Sequence, residues 1–136
     1  MVTLKRIDNM DILTRDADVL VRFYHDTLGL PFHLPYAAEE GWAAIDLGNL
    51  TLYIFTTEVG QHPPRRTAVN LEDPPGFDSI AFAVDDLDEA EADLDGRVDW
   101  VADRIEWHHP NGTWYRYRPF FDPDGNMLYI TEPHPA

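Results

Sequence analysis

The sequence predicts an α+β fold of two βαβββ modules in a single domain of 136 residues. Three observations lead to this prediction. Short segments rich in β-forming residues surround two segments with helical spacing of apolar residues. A proline-rich stretch divides the chain near its middle, and the order of elements before it is repeated after it. We therefore expect module one at about 4–59, a linker at about 60–76 and module two at about 77–134.

Module one begins with a predicted strand over 4–14. Apolar residues then recur every three or four positions, which predicts a helix over about 16–28. Asp16 is a candidate N-cap for this helix, and Gly29 suits the position just after its end. Glu-Glu-Gly and Gly-Asn turn signals separate the strands that we expect next, at 31–38, 42–47 and 50–57.

The linker contains four prolines, which are excluded from helix interiors and central strands. Module two then begins with a predicted strand over 77–84. Asp86 is a candidate cap for a short helix that ends near Gly96. The sequence Asp-Pro-Asp-Gly-Asn at 122–126 is typical of a turn. The remaining predicted strands lie at 98–107, 113–121 and 126–132.

Direct comparison of the two halves indicates an internal duplication. At an offset of 70 residues, Asp16 corresponds to Asp86. At an offset of 76 residues, the Leu-Tyr-Ile triplet at 52–54 corresponds to that at 128–130. Because both matches occur in the same order and in elements of the same type, they favour two related modules.

The composition excludes several classes of partner and site. The chain has 25 acidic and 10 basic residues, a formal charge of −15, so we expect no nucleic-acid or membrane partner. An acidic cleft would instead attract a cationic ligand. The absence of cysteine excludes disulfides and thiolate metal sites. No segment approaches the ~20 apolar residues of a membrane span, and the N-terminus lacks the apolar core of a signal peptide, so the predicted location is cytoplasmic.

Three motifs resemble those of a known family. The first is Asp16 with Phe-Tyr at 23–24 and Leu-Gly-Leu at 28–30, the second is Ser-Ile-Ala-Phe-Ala-Val-Asp-Asp at 79–86, and the third is Phe-Asp-Pro-Asp-Gly-Asn at 121–126. In these segments the chain resembles the vicinal oxygen chelate superfamily, which includes glyoxalase I, extradiol dioxygenases and bleomycin-resistance proteins. The resemblance implies curved mixed sheets around a central cavity and, as in many small members, a homodimer.

The same resemblance implies where a metal would bind. Catalytic members hold a divalent ion through His or Gln, Glu, His and Glu, and these positions fall here on Asn9, Tyr53, Ser79 and Tyr129. Divalent ions prefer imidazole nitrogen or anionic oxygen, whereas all four of these side chains are neutral near pH 7. We therefore predict no metal, no other cofactor and no catalytic residue.

The vacated positions predict a ligand site instead. The rings of Tyr53 and Tyr129 can cover a flat ligand and their hydroxyls can bond its polar edge, or the two side chains can simply fill the space. Residues 113–118 alternate, with Trp114, Arg116 and Arg118 on one face and two tyrosines on the other, and the sequence leaves open which face is inward. Glu132, at a strand end, is expected to be solvated. The full set of candidate ligand-binding residues is Asn9, Trp42, Tyr53, Ser79, Trp114, Arg116 and Tyr129.

These observations favour a metal-free protein of the bleomycin-resistance type, which binds a small aromatic natural product or antibiotic without turnover. The acidic charge favours a cationic ligand, and planar quinone or enediyne-type compounds suit the aromatic residues equally well. Two alternatives remain. One is an enzyme of the same superfamily, a lyase, isomerase or dioxygenase with an atypical site. The other is a structural or regulatory dimer without a small ligand.

Overall fold

The computed structural model describes residues 1–60 and 73–136. The chain divides into two compact units, Met1–His62 and Pro63–Ala136. Most of the linker predicted at 60–76 lies outside the described residues. Within the described ranges, no helix is both long enough and apolar enough to cross a membrane.

Unit 1 is a three-stranded sheet with one helical segment. Its elements are β1 (Asn9–Thr14), α1 (Ala17–Arg22), a π-helical segment (Phe23–Thr27), a 3₁₀ turn (Ala38–Glu40), β2 (Trp42–Asp46) and β3 (Thr51–Thr56). The strands follow the order β1-β3-β2, with β1 parallel and β2 antiparallel to the central strand β3. The helix α1 continues directly into the π-helical segment, and the 3₁₀ turn precedes β2.

The ends of the first helical segment match the sequence prediction. The Asp16 carboxylate accepts the Val19 N–H at 3.2 Å, which satisfies one of the free donors at the start of α1. Gly29 follows the helical segment with a φ of +73°, a conformation that glycine adopts without a Cβ penalty. Between them the bonding pattern changes, because the Leu28 N–H donates to the carbonyl of Phe23, five residues earlier, at 3.0 Å.

The strand predicted at 31–38 is wrong in extent. Only an isolated bridge forms there, between Phe32 and Ile45. The His33 N–H donates to the Ala44 carbonyl at 2.9 Å and the Asp46 N–H donates to the Pro31 carbonyl at 2.8 Å. Because Pro31 and Pro35 have no N–H, the ladder cannot extend in either direction.

Unit 2 repeats this arrangement with five strands. Its elements are β4 (Ser79–Ala83), α2 (Leu87–Leu94), β5 (Asp99–Trp100), β6 (Ile105–His108), β7 (Trp114–Phe121) and β8 (Met127–His134). The sheet has the order β4-β8-β7-β5, and β6 also pairs with β7. The strand β4 is parallel to β8, as β1 is to β3, and β7 is antiparallel to β8. The strand predicted at 98–107 is divided into two short strands, β5 and β6.

Two aspartates fix the ends of elements in unit 2. Asp86 caps α2, and its Oδ1 accepts the N–H groups of Asp88 at 2.8 Å and Glu89 at 3.2 Å. Asp122 organises the turn between β7 and β8, where its Oδ1 accepts the N–H groups of Asp124 and Asn126, each at 2.9 Å. The Asp86 cap was predicted from its residue type, and a turn at 122–126 was predicted from its sequence.

Candidate functional site

The sheet of unit 1 has two chemically different faces. Residues that pair across neighbouring strands point to the same face, and successive residues alternate. Leu52 and Ile54 of β3 are fully buried, as are Leu20 and Tyr24 of the helical segment, so this face of the sheet forms the core of the unit. Tyr53 lies between them in sequence and therefore points to the opposite face.

That opposite face carries a row of aromatic rings, which we call the aromatic face of unit 1 and define by Trp42, Tyr53 and Phe55. The rings of Tyr53 and Phe55 are 5.8 Å apart at 14°, and those of Phe55 and Trp42 are 6.4 Å apart at 25°. All three side chains are half-buried. The row therefore presents nearly parallel π surfaces that a flat ligand can contact.

Polar residues of β1 flank the aromatic face. Asn9 pairs in register with Thr51, and Asp11 pairs with Tyr53, so both share the face. The Asn9 amide donates to the Asp8 carboxylate at 3.0 Å. This hydrogen bond lowers the pKa of Asp8, and the positive charge of Arg6 makes a smaller contribution in the same direction. Asn9, Trp42 and Tyr53, all predicted site residues, thus lie on one face of one sheet.

In unit 2, Ser79 and Tyr129 also share a face. Ser79 pairs with Met127, two residues before Tyr129, and Tyr129 itself pairs with Ala81 and Pro119. Ser79 is exposed, whereas Tyr129 is only 8% exposed. The Tyr129 ring meets the ring of Tyr117 edge-on at 5.4 Å, and burial raises the pKa of Tyr117. Tyr129 is therefore a packed residue of this face as much as a surface for a ligand.

The structure does not bring Trp114 and Arg116 together with these residues. They lie on the opposite face of the same sheet, which α2 covers. The sequence left open which side chains of residues 113–118 point inward. The register of β7 with β8 shows that Trp114, Arg116 and Arg118 lie on the face that α2 covers. Arg116 is engaged there by Glu132, with Nη2 donating at 2.6 Å and Nε at 3.2 Å.

Glu132 contradicts the expectation that it is solvated. It is only 6% exposed, and besides the Arg116 pair it accepts the N–H of Leu87, the first residue of α2, at 2.7 Å. The Arg116 guanidinium and this backbone N–H together lower the pKa of Glu132 to about 2. The sequence did carry a signal, because Leu128, Ile130 and Glu132 alternate onto the same face.

Trp114 occupies the neighbouring row on the helix-covered face. Its ring stacks between two imidazoles, with His134 at 3.9 Å and 5° and His108 at 5.2 Å and 7°. His134 Nε2 lies 2.5 Å from Glu132 Oε1, and His108 Nε2 lies 3.3 Å from Glu106 Oε2. The shared contact of these two histidines with Trp114 was not predicted from the sequence.

The four positions that the family resemblance assigns to metal ligands do not suit a divalent ion. Asn9 and Tyr53 in unit 1, and Ser79 and Tyr129 in unit 2, offer amide, hydroxyl and phenol oxygens without formal charge. In the part of the chain that the structure describes, no group of three or more His, Cys, Asp or Glu side chains is arranged to hold a metal. The donor chemistry of these four positions therefore does not fit a divalent metal.

Known proteins share this sequence pattern and this fold. Residues 6–130 match the family profile described as the Glyoxalase/Bleomycin resistance protein/Dioxygenase superfamily. The chain is 30% identical over 135 residues to YaeR of Escherichia coli (strain K12), a protein described as uncharacterized, and the match covers 97% of this chain and 99% of YaeR.

Two solved structures illustrate the shared fold. A lactoylglutathione lyase from Agrobacterium tumefaciens has a TM-score of 0.62 at 22% identity, covering 96% of this chain and 95% of that one. A glyoxalase/bleomycin resistance protein/dioxygenase from Nocardioides has a TM-score of 0.69 at 16% identity, covering 97% of this chain and 85% of that one. At such identities the similarity concerns the fold alone.

Proposed function

Because this chain belongs to the Glyoxalase/Bleomycin resistance protein/Dioxygenase superfamily, we propose that it is a metal-free binding protein that sequesters a small aromatic compound without converting it. The family match and the two related sheets confirm the predicted α+β fold class. Membership does not by itself select a function, since the superfamily includes both enzymes and binding proteins. The choice between them depends on the residues of the site.

The observation that carries the proposal is that the four positions assigned to metal ligands by the family resemblance all hold neutral side chains. A divalent ion that polarises a substrate oxygen needs ligands that hold it against water, and uncharged amide and hydroxyl oxygens hold it weakly. Two of the replacements, Tyr53 and Tyr129, are aromatic and belong to corresponding strands of the two units. The exchange of carboxylate for phenol favours the binding of a ring over the binding of an ion.

The aromatic face of unit 1 supports an aromatic ligand. Its three rings are near parallel, and the central ring, Phe55, contacts both Tyr53 and Trp42. Such rings lose little conformational entropy when a planar compound stacks on them, because they are already ordered by each other. The Tyr53 hydroxyl adds a polar group able to bond the ligand's edge.

An enzyme on the same fold is the second candidate. Family membership is compatible with it, because the superfamily description includes glyoxalases and dioxygenases. The two candidates differ in one outcome, since a binding protein returns its ligand unchanged and an enzyme does not.

The test is titration with acridine, a planar aromatic that is neutral at about pH 8, followed by quenching of tryptophan emission. Replacing Tyr53 by Ala removes a stacking ring. Such a ring typically contributes ~0.5–1.5 kcal/mol of binding free energy beyond the contribution of the buried apolar area, so we expect binding to weaken about 2- to 13-fold. Tyr53→Phe separates the ring from the hydroxyl. For Tyr129, which is buried, Phe is the appropriate replacement because Ala would leave a cavity.

Tyr36→Ala is the matched control for Tyr53→Ala. Tyr36 is a half-buried tyrosine of unit 1 that stacks on Phe32 at 5.5 Å and lies outside the three strands. Its removal should leave acridine affinity unchanged. The proposal fails if acridine does not bind at millimolar concentration, or if both alanine variants weaken binding equally.

A further inference from the structure

Charge is distributed unevenly between the two faces of the sheet in unit 1. The strand positions that share the aromatic face include two carboxylates, Asp11 and Asp46, and no Lys, Arg or His. Asp46 is engaged by the following turn, where it accepts the Gly48 N–H at 2.7 Å. Asp11 is the other carboxylate on this face, and no side chain in the described part of the chain is recorded as bonding it.

Asp11 stands directly beside the aromatic row. It is exposed, and it pairs in register with Tyr53 on the neighbouring strand. Two other aspartates of the unit are neutralised, Asp8 by Arg6 at 3.0 Å and Asp18 by Arg22 at 2.5 Å. Among the described residues, no cationic side chain forms such a pair with Asp11. Within residues 1–60 and 73–136, a negative charge is thus held next to a π surface without a counter-ion.

We propose that the aromatic face of unit 1 selects planar aromatic cations and that Asp11 is the specificity-determining residue. This inference rests on the proposed function and narrows it to one class of ligand. A cationic ring stacked on Tyr53 gains a cation–π contribution from the electron-rich face and a Coulomb contribution from Asp11. A neutral ring gains only stacking, and an anionic ring is repelled by Asp11. The chain's formal charge of −15 acts in the same direction by raising the local concentration of cations.

The test compares two probes of the same ring system at about pH 8, neutral acridine and the permanent cation N-methylacridinium. Wild-type protein should bind the cation more tightly by about 2- to 5-fold, the effect expected of one exposed ionic contact. Asp11→Asn should abolish that preference by lowering the affinity for N-methylacridinium to the affinity for acridine. Added salt should reduce the preference in wild-type protein and have no such effect in the variant.

Asp26→Asn is the matched control, because Asp26 is an exposed aspartate of unit 1 in the π-helical segment, outside the sheet. It removes the same charge, so it should keep the preference for N-methylacridinium. Equal binding of the two probes by wild-type protein, or an equal loss of preference in both variants, overturns the inference and leaves the proposed function standing. Failure of both probes to bind overturns both. Loss of probe binding as protein concentration rises would show that a second copy covers the face, and would also overturn the inference.

Discussion

Acid should weaken this protein through one buried carboxylate, and Glu132→Gln isolates that effect. Glu132 holds β7, β8 and α2 together, because it binds Arg116 through both oxygens and accepts the Leu87 N–H. Glutamine keeps the shape and can still accept one of these hydrogen bonds, but it has no charge to offer Arg116. The variant should therefore be less stable than wild-type protein at neutral pH.

The pH dependence follows from the lowered pKa. In the folded protein the pKa of Glu132 falls from 4.5 to about 2. Above about pH 4.5 the carboxylate is ionised in both folded and unfolded chains, so its stabilisation is fully present. Between about pH 4.5 and about pH 2, Glu132 binds a proton in the unfolded chain but not in the folded protein. Through this group the unfolding equilibrium constant therefore rises by up to tenfold for each unit by which the pH falls. Below that window the stabilisation is lost.

Urea unfolding at a series of pH values measures this effect as the difference in stability between wild-type protein and Glu132→Gln. The difference should be constant above about pH 4.5 and should close as the pH falls towards 2. Glu106→Gln is the control, because Glu106 is exposed and flanks Arg116 in register from the other side. It should stay within about 0.5 kcal/mol of wild-type protein throughout. A difference for Glu132→Gln that stays constant or widens in acid would refute this reasoning.

Two further predictions concern the modules and their assembly. Replacing either N-cap by Ala should destabilise the protein by ~1 kcal/mol, as measured by urea unfolding. Asp86→Ala should be more destabilising than Asp16→Ala, because Asp86 accepts two backbone N–H groups and Asp16 accepts one. The reverse order would contradict the capping assignment. We also expect a homodimer, as the family resemblance implies, and light scattering that reports the mass of a single chain at micromolar concentration would contradict this.

Local features of this fold could be predicted because single residues determine them. Asp16 and Asp86 cap their helices, Gly29 takes the left-handed conformation, and the Asp-Pro-Asp-Gly-Asn sequence at 122–126 forms a turn. Each depends on contacts within a few residues along the chain. The duplication could also be predicted, because the two Leu-Tyr-Ile triplets are visible in the sequence, and they lie on corresponding strands of the two units.

Features that depend on pairing between strands could not be predicted. Alternation at 113–118 separates Arg116 from its neighbours but does not say which side α2 covers, and only the register with β8 decides it. Glu132 was misjudged because its partners, Arg116 and Leu87, are 16 and 45 residues away. The strand predicted at 31–38 is reduced to an isolated bridge because Pro31 and Pro35 lack the N–H donors that a longer ladder needs.

The central claim, metal-free binding without turnover, is tested most directly by one titration of purified protein with a panel of planar aromatic natural products. Tryptophan emission is recorded with and without a chelator. The ligand is then recovered and its molecular mass is measured by mass spectrometry. The account predicts quenching of Trp emission at the same affinity in both conditions and recovery of the ligand at its original mass. Binding that the chelator abolishes, or a ligand recovered with altered mass, would contradict it.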